Sequence, residues 1–283
     1  MYNLPSDFVE TVQRALAEDI GSGDITAQLI EANTLAHAQV ISRERAVLCG
    51  TAWFEEVFRQ LPSQVQITWQ VQDGETINPN QLLCNLKGPV RALLEGERTA
   101  LNFLQLLSGT ATQAQQYVKA ISGTHARILD TRKTLPGLRR AQKYAVQCGG
   151  GTNHRMGLYD AFLIKENHIL AAGSITKAIV AARRYAPNLP VEVEVETLEQ
   201  IKEVRFAGAD SLLLDNFTIP QLREAVIFVQ GKVKLEASGG VTIETIRAIA
   251  ETGVDFISVG AITKNVQAID LSMRMQKVGV NYN

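Results

Sequence analysis

The chain has 283 residues, room for a barrel-sized α/β domain of roughly 150 to 200 residues and a smaller companion. Hydrophobic residues make up 46% and charged residues 20%, so a sizeable core can form and disorder is not expected. The 28 Lys and Arg against 29 Asp and Glu leave a net charge of -1, without the basic excess of a nucleic-acid binder. A few focused cations in a cleft would still suit a small anionic substrate.

The start, Met1 to Glu10, lacks the basic residues and apolar run of a signal peptide. No stretch approaches the roughly 18 uninterrupted apolar residues of a membrane span, so a soluble, cytoplasmic protein is expected. Helical periodicity at about 6 to 18 gives way to the turn-rich Glu18-Asp19-Ile20-Gly21-Ser22-Gly23-Asp24-Ile25-Thr26. Strand-like runs follow at Ala36 to Arg43, Gln66 to Gln72 and Gln81 to Lys87, with turns at Asp73-Gly74 and Asn78-Pro79-Asn80. An α+β domain over residues 1–110 is expected. A long helix from about Leu93 to Ile121 carries the chain onward without a flexible linker. Cys49, Cys84 and Cys148 form no CxxC pair and predict packed thiols, not a zinc site or a disulfide scaffold.

The second half has a different rhythm. Short apolar runs recur at 127–130, 161–165, 191–195, 211–215, 233–238 and 256–260. Helical segments separate the later ones, at 174–186, 197–207, 219–229 and 242–252. They open on Ser174, Thr197, Pro220 and Thr242, and Gly208 and Gly253 close two of them. Strands alternating with helices of this length predict parallel βαβ units. Polar residues gather just where the strands end, as on the active rim of an α/β barrel.

That rim carries the chemistry. Ser238-Gly239-Gly240 and Gly260-Ala261 follow the last two strands, where glycines let backbone N–H groups approach a phosphate and the next helix N-terminus adds its dipole. Glu194 and Asp215 end adjacent strands and offer the hard oxygens that suit Mg²⁺. Glu192 shares a strand face with Glu194 and is a possible neighbour. Arg132, Lys133, Arg155 and Lys165, with His154 beside them, would repel one another without an anionic ligand or the rim acids to offset them. Arginine forks suit planar carboxylates. Gly149-Gly150-Gly151 predicts a mobile or tightly turned loop, since no GxGxxG follows a strand.

The order of these motifs resembles the quinolinate phosphoribosyltransferase family. The resemblance rests on Asp130-Thr131-Arg132-Lys133-Thr134-Leu135-Pro136-Gly137-Leu138-Arg139 and on Gly150-Gly151-x-x-His154-Arg155-x-Gly157-Leu158-x-Asp160. It continues through Lys165-x-Asn167-His168, Val191 to Glu194, Leu214 to Phe217, Glu236 to Gly240 and Gly260 to Thr263. Glu18 to Thr26 and Gly96-Glu97-Arg98-x-Ala100-Leu101-Asn102 extend it to the first domain.

The resemblance implies an N-terminal α/β sandwich domain over 1–110, joined by a C-terminal tail at 268–283, and an open, seven-stranded parallel α/β barrel over 111–267. It implies transfer of a phosphoribosyl group from phosphoribosyl pyrophosphate (PRPP) to quinolinate with decarboxylation, in NAD synthesis. Arg98, Arg132, His154, Arg155 and Lys165 would hold quinolinate. Lys133, Lys165, Glu194 and Asp215 would serve PRPP and Mg²⁺, with metal ligation by Glu194 and Asp215. Ser238, Gly239, Gly240, Gly260 and Ala261 would hold the 5-phosphate. A homodimer, or a higher oligomer built from it, would complete each site with the partner's Arg98. Two alternatives remain at this point: a paralogous transferase of the same fold acting on another substrate, and a Schiff-base aldolase using Lys165.

Overall fold

The structure is a computed structural model that describes residues 3–32 and 34–276. In chain order the first elements are α1 (Phe8–Ile20), β1 (Leu35–Ser42), β2 (Ala46–Val47), α2 (Thr51–Gln60), β3 (Gln66–Trp69), β4 (Thr76–Ile77), β5 (Leu82–Pro89) and α3 (Val90–Ala120). Then come β6 (Arg127–Leu129), α4 (Arg139–Cys148), β7 (Phe162–Ile164), α5 (Glu166–Ala172), α6 (Ile175–Tyr185), β8 (Val191–Val195), α7 (Leu198–Ala207) and β9 (Ser211–Asp215). The chain closes with α8 (Ile219–Val229), β10 (Lys234–Ser238), α9 (Ile246–Ala250), β11 (Phe256–Ser258), α10 (Ala261–Lys264) and β12 (Leu271–Gln276).

Two compact units result. The first comprises the described residues up to Gln115, Leu135–Gly150 and the described residues from Asn265 onward. Its antiparallel sheet has the order β12-β1-β5-β3, and β12 runs along β1 from Ser42↔Leu271 to His37↔Gln276. The remainder of the expected tail, 277–283, lies outside the described residues. Sheet and helices enclose Trp53, Phe54, Leu86, Leu101, Leu104 and Leu107, all essentially shut off from solvent.

Residues 135–150, which the sequence reading placed in the barrel, pack into this first core. The reason is the apolar stripe of α4: Ala141, Tyr144, Ala145 and Cys148 are buried in it, and the Tyr144 ring lies 5.1 Å from that of Trp53. The glycines after α4 make a tight turn. Gly149 caps the helix and leaves no room for a Cβ against the Ala111 carbonyl, while Gly150 adopts φ +86°. All three cysteines are free and buried.

The second unit, Gln116–Thr134 and Gly151–Lys264, is the parallel α/β domain. Its sheet order, β6-β11-β10-β9-β8-β7, brings the first strand beside the last. Every pairing is parallel. Among the described residues it has six strands; where the family pattern implied seven, Thr152 makes a single parallel bridge to Leu129 at the open edge of β6.

The helix starts follow local chemistry. Ser174 and Thr197 accept the amides of Lys177 and Gln200, Gln200 completes a capping box, and Pro220 stands in the first turn of α8 behind Thr218. Gly208 closes α7 at φ +85°. The segment expected at 242–252 forms only the short α9, which Thr245 precedes without a side-chain cap. The Thr242 amide bonds to Thr245 Oγ1 at 3.0 Å, and this local bond keeps the first residues in a turn.

Candidate active site

The strand order sorts the polar rim. Arg132 and Lys133 follow β6, Gly260 follows β11, and Ser238 to Gly240 end β10. Asp215 ends β9, Glu194 lies near the end of β8, and Lys165 follows β7. Cations thus stand at both ends of the row, with glycines and then acids between them. Arg98, by contrast, is an exposed residue of α3 in the first unit. The glycine two residues before it lets the helix pass a core ring, since a Cβ on Gly96 would meet Phe58 at 2.5 Å.

Residues from both ends of the row, Arg132 and Lys165, line one cavity of about 570 Å³ together with Arg155 and His168, with Ala161 and Leu163 among the apolar walls. Among the described residues neither Arg132 nor Arg155 has a salt bridge. Arg132 Nε is buried with no hydrogen-bond partner, a costly state for a guanidinium. Burial and the Arg132 charge hold Arg155 below its ordinary range, against the opposing charges of Asp160 and Glu192. Unpaired, mutually repelling arginines beside an apolar wall fit a flat dicarboxylate ligand.

Lys165 differs from them. Its Nζ lies 2.5 Å from Glu194 Oε2, and its amide donates to His168 Nδ1 at the start of α5. Next along the rim, burial raises the Asp215 carboxyl and Glu194 adds to the rise; Lys165 and Lys133 oppose it. Asp215 Oδ2 also accepts the side-chain amide of Asn216, at 2.8 Å.

The glycines have specific work. The stem of Lys133 runs over Gly260, where a Cβ would stand 3.1 Å from its Cδ. Lys133 is further held by its amide, which donates to Thr131 Oγ1 at 3.0 Å, and by its carbonyl, which accepts from Thr263 at 2.8 Å. Gly239 adopts φ +96°, and a Cβ there would collide with the Asn216 side chain. Gly240, at φ +56°, faces open space. The expected helix dipole contributes less than the sequence suggested. Helix α9 begins only at Ile246, and α10, opened by Ala261, is a single turn. Backbone N–H groups and Lys133 must therefore make up most of an anion cup.

His154 sits one layer below. Glu192 Oε2 and Glu236 Oε2 lie 2.9 and 3.3 Å from its Nε2, its Nδ1 accepts the Arg155 amide at 2.8 Å, and its own amide donates to buried Asp130. Glu192 thus pairs with His154 rather than with its strand neighbour Glu194. The sequence reading quoted Glu236 within a motif but gave it no role, although a lone acid inside the run Val233 to Ala237 was a usable signal.

Burial alone pulls the His154 ring down, but Glu192 and Glu236 outweigh it and hold the ring up, to about 10. Burial also holds Glu236 up, with Glu192 adding to the rise against the opposing His154. The cluster therefore keeps one proton beyond that of the neutral ring. Nδ1 is occupied as an acceptor, so a ring proton stands on Nε2 between the two carboxylates. The same tautomer argues against a metal at Nε2, because a ligating imidazole needs its proton on the other nitrogen.

Known proteins resemble this chain over nearly its whole length. The pattern of the quinolinate phosphoribosyl transferase N-terminal domain matches residues 24–108, and that of the C-terminal domain matches 110–274. The chain is 42% identical over 257 residues to the probable nicotinate-nucleotide pyrophosphorylase [carboxylating] of Bacillus subtilis (strain 168), covering 90% of this chain and 89% of that one. The solved nicotinate-nucleotide pyrophosphorylase of Francisella tularensis superposes with a TM-score of 0.93 at 51% identity, covering 97% of this chain and 98% of that one. Human nicotinic acid phosphoribosyltransferase, at 14% identity and a TM-score of 0.62, shares the fold.

A two-domain phosphoribosyltransferase with a parallel α/β barrel is the class that fold and rim define. More narrowly, the chain belongs to the quinolinate phosphoribosyl transferase family. That membership sets aside the aldolase alternative.

Proposed function

We propose that this chain transfers the phosphoribosyl group of PRPP to the ring nitrogen of quinolinate and releases CO₂, yielding nicotinate mononucleotide and pyrophosphate for NAD synthesis. The observation that carries this reading is the pair Arg132 and Arg155. Both lack a salt-bridge partner among the described residues and line one cavity on a rim that also carries acids and a glycine cup. Two carboxylates on a flat ring would satisfy them bidentately.

Arg132, Arg155 and Lys165, braced by His154, hold quinolinate, and Arg98 reaches the site from the partner of a homodimer. Ser238, Gly239, Gly240, Gly260 and Ala261 hold the 5-phosphate. As the bond from ribose C1 to pyrophosphate breaks, Lys133 stabilises the departing charge, and the pyridine nitrogen attacks the oxocarbenium-like carbon. The resulting pyridinium accepts the electron pair left when the 2-carboxylate departs as CO₂, and C2 then takes up a proton. No protein nucleophile is required.

Glu194 and Asp215 fit a divalent cation: they end adjacent strands, and the charge of one already raises the other. Glu194 and Asp215 would hold Mg²⁺ there, and the ion would supply Lewis-acid neutralisation of the departing charge. The protein works in the cytoplasm; among the described residues no helix is long and apolar enough to cross a membrane.

The test is direct. Purified protein with quinolinate, PRPP and Mg²⁺ should release CO₂ and nicotinate mononucleotide in equal amounts, and omission of any component should stop both. Product formation from nicotinate in place of quinolinate would select the paralogous reading instead.

A further inference from the structure

Beneath the rim lies a polar layer that takes no part in those steps. A barrel interior is normally filled by branched apolar side chains. Here Glu192 on β8, Glu236 on β10 and Ser258 on β11 are buried, as is Asp130 just past β6. Three of the four converge on His154. Asp130 Oδ1 accepts its amide at 2.9 Å, and Glu192 and Glu236 flank its Nε2. Glu192 is itself steadied by the Ser211 hydroxyl at 3.0 Å, so β9 contributes as well. Burying this many acids is costly unless each has a partner, and here His154 serves all three, Glu192 and Glu236 through its ring and Asp130 through its amide.

What the clamp controls follows from the other side of the ring. Nδ1 accepts the Arg155 amide at 2.8 Å, so a fixed ring fixes the main chain from which the Arg155 guanidinium projects. That guanidinium has little else to aim it: the contact from Nη1 to the Ala161 carbonyl is long, at 3.3 Å. Its fork must nevertheless stay free of protein carboxylates if it is to meet a ligand. A buried acid acting one residue away, through the ring, holds the arginine without occupying it.

We propose that Glu236, acting with Glu192 through His154, is a positioning residue that sets the aim of Arg155 and thereby selects for the carboxylates of quinolinate. The inference rests on the assignment of the Arg132–Arg155 cavity as the quinolinate site. It requires an oxygen acceptor at position 236 facing Nε2–H, whether or not that oxygen carries charge.

The experiment compares Glu236→Leu, which keeps volume and removes the acceptor, with Glu236→Gln, which keeps it. Glu236→Leu should raise the KM for quinolinate about tenfold or more while the KM for PRPP stays within about twofold, and Glu236→Gln should return both to within about threefold of the unaltered enzyme. An equal rise in both KM values, no rise in either, or a Gln variant as impaired as Leu would overturn the proposal.

If the Leu variant does not fold, ¹⁵N NMR of the His154 ring in the unaltered enzyme decides. The expected signature is a bare Nδ1 and a protonated Nε2, lost from neither the free nor the quinolinate-bound protein; a protonated Nδ1 would refute the clamp. Unaltered enzyme that fails to turn over quinolinate would sink the activity assignment instead, and the ring spectrum would still judge the clamp.

Discussion

Lys165 and Glu194 join the ends of β7 and β8 through a 2.5 Å ion pair, so the rim's last cation neutralises the first of its two acids. Asp215, on the next strand, feels both partners: Glu194 raises its carboxyl and Lys165 lowers it. In Lys165→Met the lowering influence goes and the raising one stays, so the Asp215 carboxyl titrates at higher pH. An acid with a raised pKa is protonated sooner as pH falls. The acid limb of kcat/KM for PRPP should therefore move to higher pH, on top of a loss of about 100-fold at neutral pH. An acid limb that stays in place would mean that Lys165 does not act on Asp215.

The unpaired Arg132 makes a prediction about substrates. Nicotinate lacks the 2-carboxylate and would leave one guanidinium of the cavity without a partner, which costs on the order of 2 to 5 kcal/mol when the charge is buried. Competition assays should show kcat/KM for nicotinate lower by a factor on the order of 100 or more. In Arg132→Ala that discrimination should shrink, because quinolinate loses the contact that nicotinate never had. Comparable use of the two substrates by the unaltered enzyme would remove the basis for assigning quinolinate.

The sequence made the barrel more legible than the first unit, for a physical reason. Each barrel strand is a short apolar run that stops at a polar rim residue, and caps such as Ser174 and Thr197 lie beside the helices they open. Helix α2 carries no such local signal. It starts after Gly50 with no side-chain cap of its own, and its first amides bond to Asp73, a residue of a later turn. Helix α4 likewise has no capping side chain, and its sequence looked like an extension of the rim motif. Within the site, the rim residues were visible as strand endings, whereas Glu236 lies in mid-strand. Its meaning appears only when β8 and β10 bring two acids to one imidazole.

The glycine pair after β10 should separate steric from conformational strain. An alanine at 239 must hold φ near +96° and also displace the Asn216 side chain that bonds to Asp215. An alanine at 240 meets nothing and bears only the left-handed conformation, at about 1 to 2 kcal/mol. Gly239→Ala should therefore lower Tm by more than Gly240→Ala does, and both should weaken binding of PRPP, whose 5-phosphate the two glycines cradle, with the larger loss at 239. Thermal unfolding with and without PRPP measures both. Equal effects at the two positions would show that Asn216 has no part in shaping the cup.

Arg98 provides the test of a shared site. It is an exposed residue of α3 in the first unit, whereas Lys165 follows a strand of the second. If Arg98 serves the partner's site, Arg98→Ala and Lys165→Ala should each be nearly inactive as homodimers. In a mixed dimer, the barrel of the Arg98→Ala chain keeps its lysine and receives an intact Arg98 from its partner. The other barrel lacks both groups. Random re-association of equal amounts makes about half the dimers mixed, each with one restored site of two, so activity should recover to about a quarter of the unaltered level for a two-fold dimer with independent sites. Tagging the two variants differently and purifying through both tags isolates the mixed species, whose activity should then approach about half. No recovery in dimers proven to be mixed would place Arg98 in the service of its own chain, and a recovered activity that vanishes on dilution would tie it to the assembled dimer.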